Sequence, residues 1–100
     1  MRIAIAATVL LAAAVPALAD SAKETDCRYQ AQVAAAVQKA RMDGVPEREL
    51  AESIARTQPT WPERYNNAIP VLGGAVYQLK KHDLRVVDLG EQWMAMCMSQ

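Results

Sequence analysis

Apolar positions in this chain form one unbroken block followed by several periodic stripes. Sixteen of the nineteen residues in Met1–Ala19 are hydrophobic; only Arg2, Thr8 and Pro16 fall outside the class. After that block the spacing becomes three and four, the repeat of an α-helix with one face turned to a core. Tyr29, Val33, Ala36, Val37 and Ala40 make the first stripe, with Arg28, Gln32 and Lys39 opposite, and predict a helix over Cys27–Met42. Thr25 or Asp26 stands where an N-cap belongs, and Gly44 where a C-terminal glycine belongs. The polar stretch Asp20–Thr25 before it is expected to fray.

Pro46–Arg56 predicts a second helix, because proline suits a first turn and Leu50, Ala51 and Ile54 share a side. Glu47 and Glu49 lie near its positive end and Arg56 near its negative end. Thr60-Trp61-Pro62-Glu63 has the T-x-x-E form of a capping box. The stripe Tyr65, Ile69, Leu72, Val76 and Leu79 then predicts a third helix from Trp61 toward Lys81. Pro70 removes one backbone bond, so a kink or break is expected near Asn66–Ile69; residues 66–88 are one kinked helix or two elements. His82–Val87 reads as a connector. Asp88-Leu89-Gly90-Glu91 is a second cap signal, opening a helix over Leu89–Met98 with Leu89, Trp93, Met96 and Cys97 inward. The fold class is therefore all-α, a small bundle of about four helices. An α+β fold with strands at Ala75–Leu79 or Leu84–Val87 is the alternative.

The apolar block changes the view of the composition. Hydrophobic residues are 52% of the chain, but the 81 positions from Asp20 to Gln100 hold 36 of them, about 44%, an ordinary value for one globular domain. Met1–Ala19 itself reads as a secretory signal peptide: Arg2 is the positive start, Ile3–Val15 the apolar run, and Ala17-Leu18-Ala19 the small–x–small cleavage pattern. The run is short for a bilayer span, so stable membrane insertion after cleavage is not expected. The mature domain is expected to be residues 20–100, in the periplasm of a bacterium or secreted.

Without Arg2 the chain carries 10 Lys+Arg against 11 Asp+Glu, dispersed among one another, which excludes a generic nucleic-acid binder. Two cysteines, Cys27 and Cys97, sit near the two ends of the mature chain. In an exported small domain an even count implies a disulfide, and two cysteines allow one pairing. Closing a loop of about 70 residues is worth roughly 4 kcal/mol, large beside what so small a core supplies. The pairing requires the start of the first helix to meet the end of the last.

Candidate chemistry is sparse. The cysteines lack the C-x-x-C-H spacing of heme attachment. Ser53 and His82, the single histidine, are a formal nucleophile and base, but no G-x-S-x-G elbow is present. His82 follows Lys80-Lys81 at an expected helix end, where a cation is favoured. Glu47, Glu49 and Glu52 share one short helix with Arg48 and Arg56, the pattern of a solvated face. Trp93-Met94-Ala95-Met96-Cys97-Met98 offers soft ligands for Cu(I), with Met94 and Met98 on one face, but Cys97 is claimed by the disulfide and methionine is a common core filler. Gly73-Gly74 has no phosphate-loop pattern and is read as close packing against Trp61 or Trp93. Trp61, flanked by Pro59 and Pro62, is a cap over the core edge or an aromatic anchor for a partner. No catalytic residue, metal ligand or cofactor site is assigned.

The plan, an exported helical domain of this size with one long-range disulfide, is similar in architecture to the periplasmic acid-stress chaperones. No stretch aligns with them residue by residue, so no site residue follows from the likeness. The expected function is that of a non-enzymatic exported protein acting through contacts with another protein. The resemblance implies the alternative, a holdase that exposes apolar surface as its carboxylates protonate, below about pH 5 given the single histidine. A methionine-based copper protein is the third reading.

Overall fold

The computed structural model describes residues 14–100, and among these there are helices and turns but no strand. Helix α1 spans Ala14–Met42. A 3₁₀ turn, Glu47–Glu49, leads into α2 (Leu50–Arg56). A second, Glu63–Asn67, leads into α3 (Ala68–Val76). A single-turn helix, α4 (Lys81–Leu84), sits in the connector before α5 (Leu89–Met98). The helical bundle matches the expected class, with α4 as an added turn. Residues 1–13, most of the proposed leader, lie outside the described residues.

Helix α1 departs from expectation at its start. Asp20–Thr25 does not fray but is helical, and Thr25 and Asp26 lie inside α1 rather than capping it. The reason is local: Ser21–Asp26 contains no glycine or proline, and Ala, Lys and Glu are good helix formers. Thr25 turns its hydroxyl back to the Ser21 carbonyl at 3.0 Å, and Arg28 pairs with Glu24 one turn away at 2.7 Å. The other end stops as expected. Gly44 adopts φ +84°, which L side chains rarely do, and Val45 N–H returns to the Ala40 carbonyl at 3.0 Å. This closes the Schellman turn that satisfies the last carbonyls.

The third segment is shorter than its stripe. Thr60 does not build a capping box; Pro62 precedes the 3₁₀ turn, with no side-chain cap. The chain relaxes from 3₁₀ into α-helix only at Ala68, which puts Pro70 in the first turn of α3, where its missing N–H costs no intrahelical bond. The break near Asn66–Ile69 therefore exists as a change of helix type. Helix α3 ends at Val76, so Leu79 lies beyond it. Asp88 does cap α5: its Oδ1 accepts the Glu91 N–H at 3.0 Å.

Val33, Ala34, Val37 and Ala40 of α1 form the middle of the core. Leu50 and Ile54 of α2, Tyr65, then Ile69, Leu72 and Val76 of α3, and Leu84 of α4 close around them. Gly73 lets α3 approach α2: a Cβ there would stand 2.6 Å from Leu50 Cδ2, while one on Gly74 would meet nothing. The close neighbour is thus Leu50, not Trp61 or Trp93. Helix α5 runs antiparallel along α1. Gly90 packs so tightly that an added Cβ would lie 3.1 Å from the Ala31 carbonyl and 3.2 Å from Ala35 Cβ. Farther along, Cys27 and Cys97 are bonded, with Cα atoms 5.6 Å apart. The expected closure holds, but Cys27 lies well inside α1 rather than at its start.

Two substitutions test the α2–α3 contact. Gly73→Ala should destabilise the protein by about 1–3 kcal/mol, through overpacking against buried Leu50. Gly74→Ala should be neutral or stabilising by up to about 1 kcal/mol, from helix propensity alone. Chemical denaturation of both variants distinguishes them; equal effects would refute the contact. The disulfide is tested by Cys97→Ser, expected to cost roughly 4 kcal/mol by freeing the unfolded chain. Thiol titration of the denatured, unreduced wild type should find no free thiol.

Candidate functional site

An apolar groove lies where α3 and α5 diverge above α1. Leu72, Ala75, Val76 and Leu79 form one wall; Leu89, Trp93 and Met96 form the other, with Gln92 at the edge. Ala34 of α1 makes the floor. Leu72, Ala75 and Val76 stand on α3 with Leu79 in the turn after it, and Leu89, Trp93 and Met96 step by four and three along α5, so the two walls face each other. The floor residue is small, which gives the groove depth; its volume is about 230 Å³. None of its lining residues is charged. Leu79 is 43% and Met96 50% exposed, so the rim offers large apolar side chains to water.

Met96 is expected inward and is instead half exposed, because α5 packs chiefly against α1 and Met96 stands at the rim of the groove. Leu79 likewise escapes burial because α3 stops at Val76. Met94 is partly buried and Met98 exposed. With Cys97 in the disulfide, the methionine pair has no thiolate beside it, and among the described residues no cluster of three His, Cys, Asp or Glu side chains could hold a metal.

Polar side chains position the groove from beneath. Trp93 Nε1 donates to Gln30 Oε1 at 2.9 Å, which fixes the indole. Gln30 in turn donates to Asp26 Oδ2 at 2.8 Å, and Tyr65 donates its hydroxyl to Asp26 Oδ1 at 2.5 Å. Arg64 stacks over the Tyr65 ring at 4.7 Å and Tyr29 packs against it at 5.2 Å. A second set holds the base of α5. Gln38 Nε2 donates to the carbonyls of Leu84 and Val87, each at 2.8 Å, and its Oε1 accepts the Leu89 N–H at 3.0 Å. Arg41 donates to the Leu79 carbonyl at 3.0 Å and lies over the Tyr77 ring at 5.3 Å, while Tyr77 donates to the Val45 carbonyl at 2.8 Å. Gln30 and Gln38 were not singled out from the sequence. Their signal was a polar residue close to the apolar stripe, not opposite it.

The other candidates stay apart. Ser53 lines a cleft between α1 and α2 with Lys39 and Asp43, whereas His82 is exposed on α4 and not at the end of α3. Glu47, Glu49 and Glu52 are exposed, with Glu52 paired to Arg56 at 3.2 Å. Trp61 is partly buried against the core edge, and its Nε1 donates to Asn66 Oδ1 at 2.8 Å. No protein-family model, curated protein or solved structure matches the chain.

The Asp26–Tyr65 bond has a pH consequence. The hydrogen bond to the Asp26 carboxylate, with desolvation second, raises the Tyr65 hydroxyl above its ordinary value of 10.0. A raised folded-state pKa means that the contribution is complete below about pH 10 and is lost as pH climbs through the raised value. Tyr65→Phe should therefore lower stability at pH 8, and its deficit should shrink at pH 11. Denaturation midpoints at the two pH values measure this; a deficit unchanged with pH would remove the bond from the account.

Proposed function

We propose that the protein is an exported, non-enzymatic helical domain that works by docking an apolar segment of another protein in the α3–α5 groove. The observation carrying this reading is a groove without charged lining residues, rimmed by exposed Leu79 and Met96. A contiguous apolar surface of this kind, unlike scattered exposed side chains, marks a contact site for a partner. Methionine at such a rim suits partners of differing shape, because its unbranched side chain repacks easily. An amphipathic helix laid into a groove between two helices is the recognition mode that fits. The leader-like Met1–Ala19 and the disulfide, a bond that persists where the surroundings are oxidising, support an exported location. No helix of the described residues is long and apolar enough to cross a membrane.

The acid-chaperone reading is a second use of the same groove. The disulfide favours it, since a covalent tie between α1 and α5 is indifferent to protonation. Against it, the four ion pairs among the described residues have side chains at least half exposed, and such pairs contribute little that acid could remove. The groove is also already open.

An apolar fluorescent dye should therefore bind at pH 7, and Leu79→Glu or Met96→Glu should each weaken it about tenfold or more while leaving helicity intact, because a charge would enter an uncharged groove. A photo-crosslinking residue at position 96 should capture a protein that Leu79→Glu no longer captures. Dye binding that is absent at pH 7 and arises only near pH 3, with suppression of client aggregation there, would replace this reading with the chaperone one.

A further inference from the structure

A second cavity lies between α2 and the turn Glu63–Asn67, bordered by Ile69 of α3. Its volume is about 360 Å³. Ala51 and Ala55 of α2 and Ile69 of α3 supply its apolar surface, and Trp61, Glu63 and Asn66 stand around them. Three other cavities carry a balanced pair of charges, Lys23 with Asp26, Glu47 with Arg48, and Lys39 with Asp43, and the α3–α5 groove carries none. Here the single charged lining residue is an acid, Glu63.

The nearby cations are engaged elsewhere. Arg56 is paired with Glu52 at 3.2 Å, Arg48 with Glu49 at 3.9 Å, and Arg64 lies over the Tyr65 ring at 4.7 Å. Glu63 takes part in none of the ion pairs among the described residues. Trp61 has its one donor occupied by Asn66 at 2.8 Å, so a ligand meets ring carbon rather than a free N–H. That bond also ties Trp61 to the turn that carries Glu63.

From this charge pattern we propose that the Trp61–Glu63 cavity binds a small organic cation of the alkylammonium class. Its methyl groups would lie against Trp61, Ala51 and Ala55, and its charge would be met by the indole quadrupole and the Glu63 carboxylate. An indole attracts a cation in a way it does not attract the neutral isostere, and indole is the strongest of the aromatic rings in this respect. This proposal is independent of the α3–α5 groove and of its occupant.

The test uses the intact, disulfide-bonded protein labelled with ¹⁵N. Its two tryptophans give two indole N–H signals, assigned with Trp93→Phe. Choline chloride should shift the Trp61 signal saturably, with a Kd in the millimolar range, and leave the Trp93 signal in place. The neutral isostere 3,3-dimethyl-1-butanol, at matched ionic strength, should bind at least about fivefold more weakly. Glu63→Gln changes an exposed side chain outside the core; it should weaken choline at least about threefold and leave the isostere unaffected. Equal affinity for choline and its isostere, no saturable shift up to about 100 mM, or a shift confined to Trp93 would each overturn the proposal.

Discussion

Everything in this bundle depends on how closely α5 can lie along α1. Gly90 permits that distance, because an added Cβ would press on the Ala31 carbonyl and Ala35 more tightly than ordinary contact allows. Once the helices are that close, the other α1–α5 interactions come within reach. The disulfide can form at one end, Trp93 can find Gln30 in the middle, and Gln38 can receive the Leu89 N–H at the other. The three fastenings are of different kinds. The covalent one acts mainly on the unfolded chain by shortening its excursions. The hydrogen bonds act on the folded state, where each satisfies a polar group that packing has taken from water.

Gln38 shows how much one side chain can organise. It accepts from the first turn of α5 and donates to the last carbonyl of α4 and to that of Val87 in the α4–α5 connector. The connector has little regular structure of its own, so these bonds stand in for the backbone partners it lacks. Asp88 caps the same helix from the other side. With its start held by Gln38 and Asp88 and its end by Cys97, α5 has a determined height along α1. That height places Leu89, Trp93 and Met96 opposite Leu72, Val76 and Leu79. The groove is what remains when two helices are held on one post but diverge from each other.

The open side of the groove follows from chain length as much as from sequence pattern. Helix α3 ends at Val76, yet its apolar stripe runs on to Leu79. Helix α5 continues to Met98, and among the described residues no further element covers Met96. In so small a domain the core is built chiefly around α1, and apolar residues at the ends of outer helices have nothing left to pack against. The same geometry explains why the methionine-rich string is divided, with Met94 partly buried and Met96 and Met98 in water.

The sequence by itself determined the helical class, the limits of α5, the proline-forced break before α3, the glycine stop after α1 and the partner of each cysteine. These rest on local rules: a 3.6-residue period, a cap, a missing N–H, a positive φ, and a pairing that two cysteines leave no choice about. Only the tertiary structure decided which candidates mattered. The Thr60 capping box lost to the extended backbone that Pro62 brings, and Asp26 gave up a capping role for Tyr65 and Gln30 because the helix ran through it. Gly73 answered to Leu50 rather than to a tryptophan, since helix pairing is set by the crossing of α2 and α3 and not by residue size alone. The groove was hidden for the same reason. Leu79 and Met96 sit on well-phased apolar stripes, and periodicity says which side of a helix is apolar but not whether another helix is there to cover it.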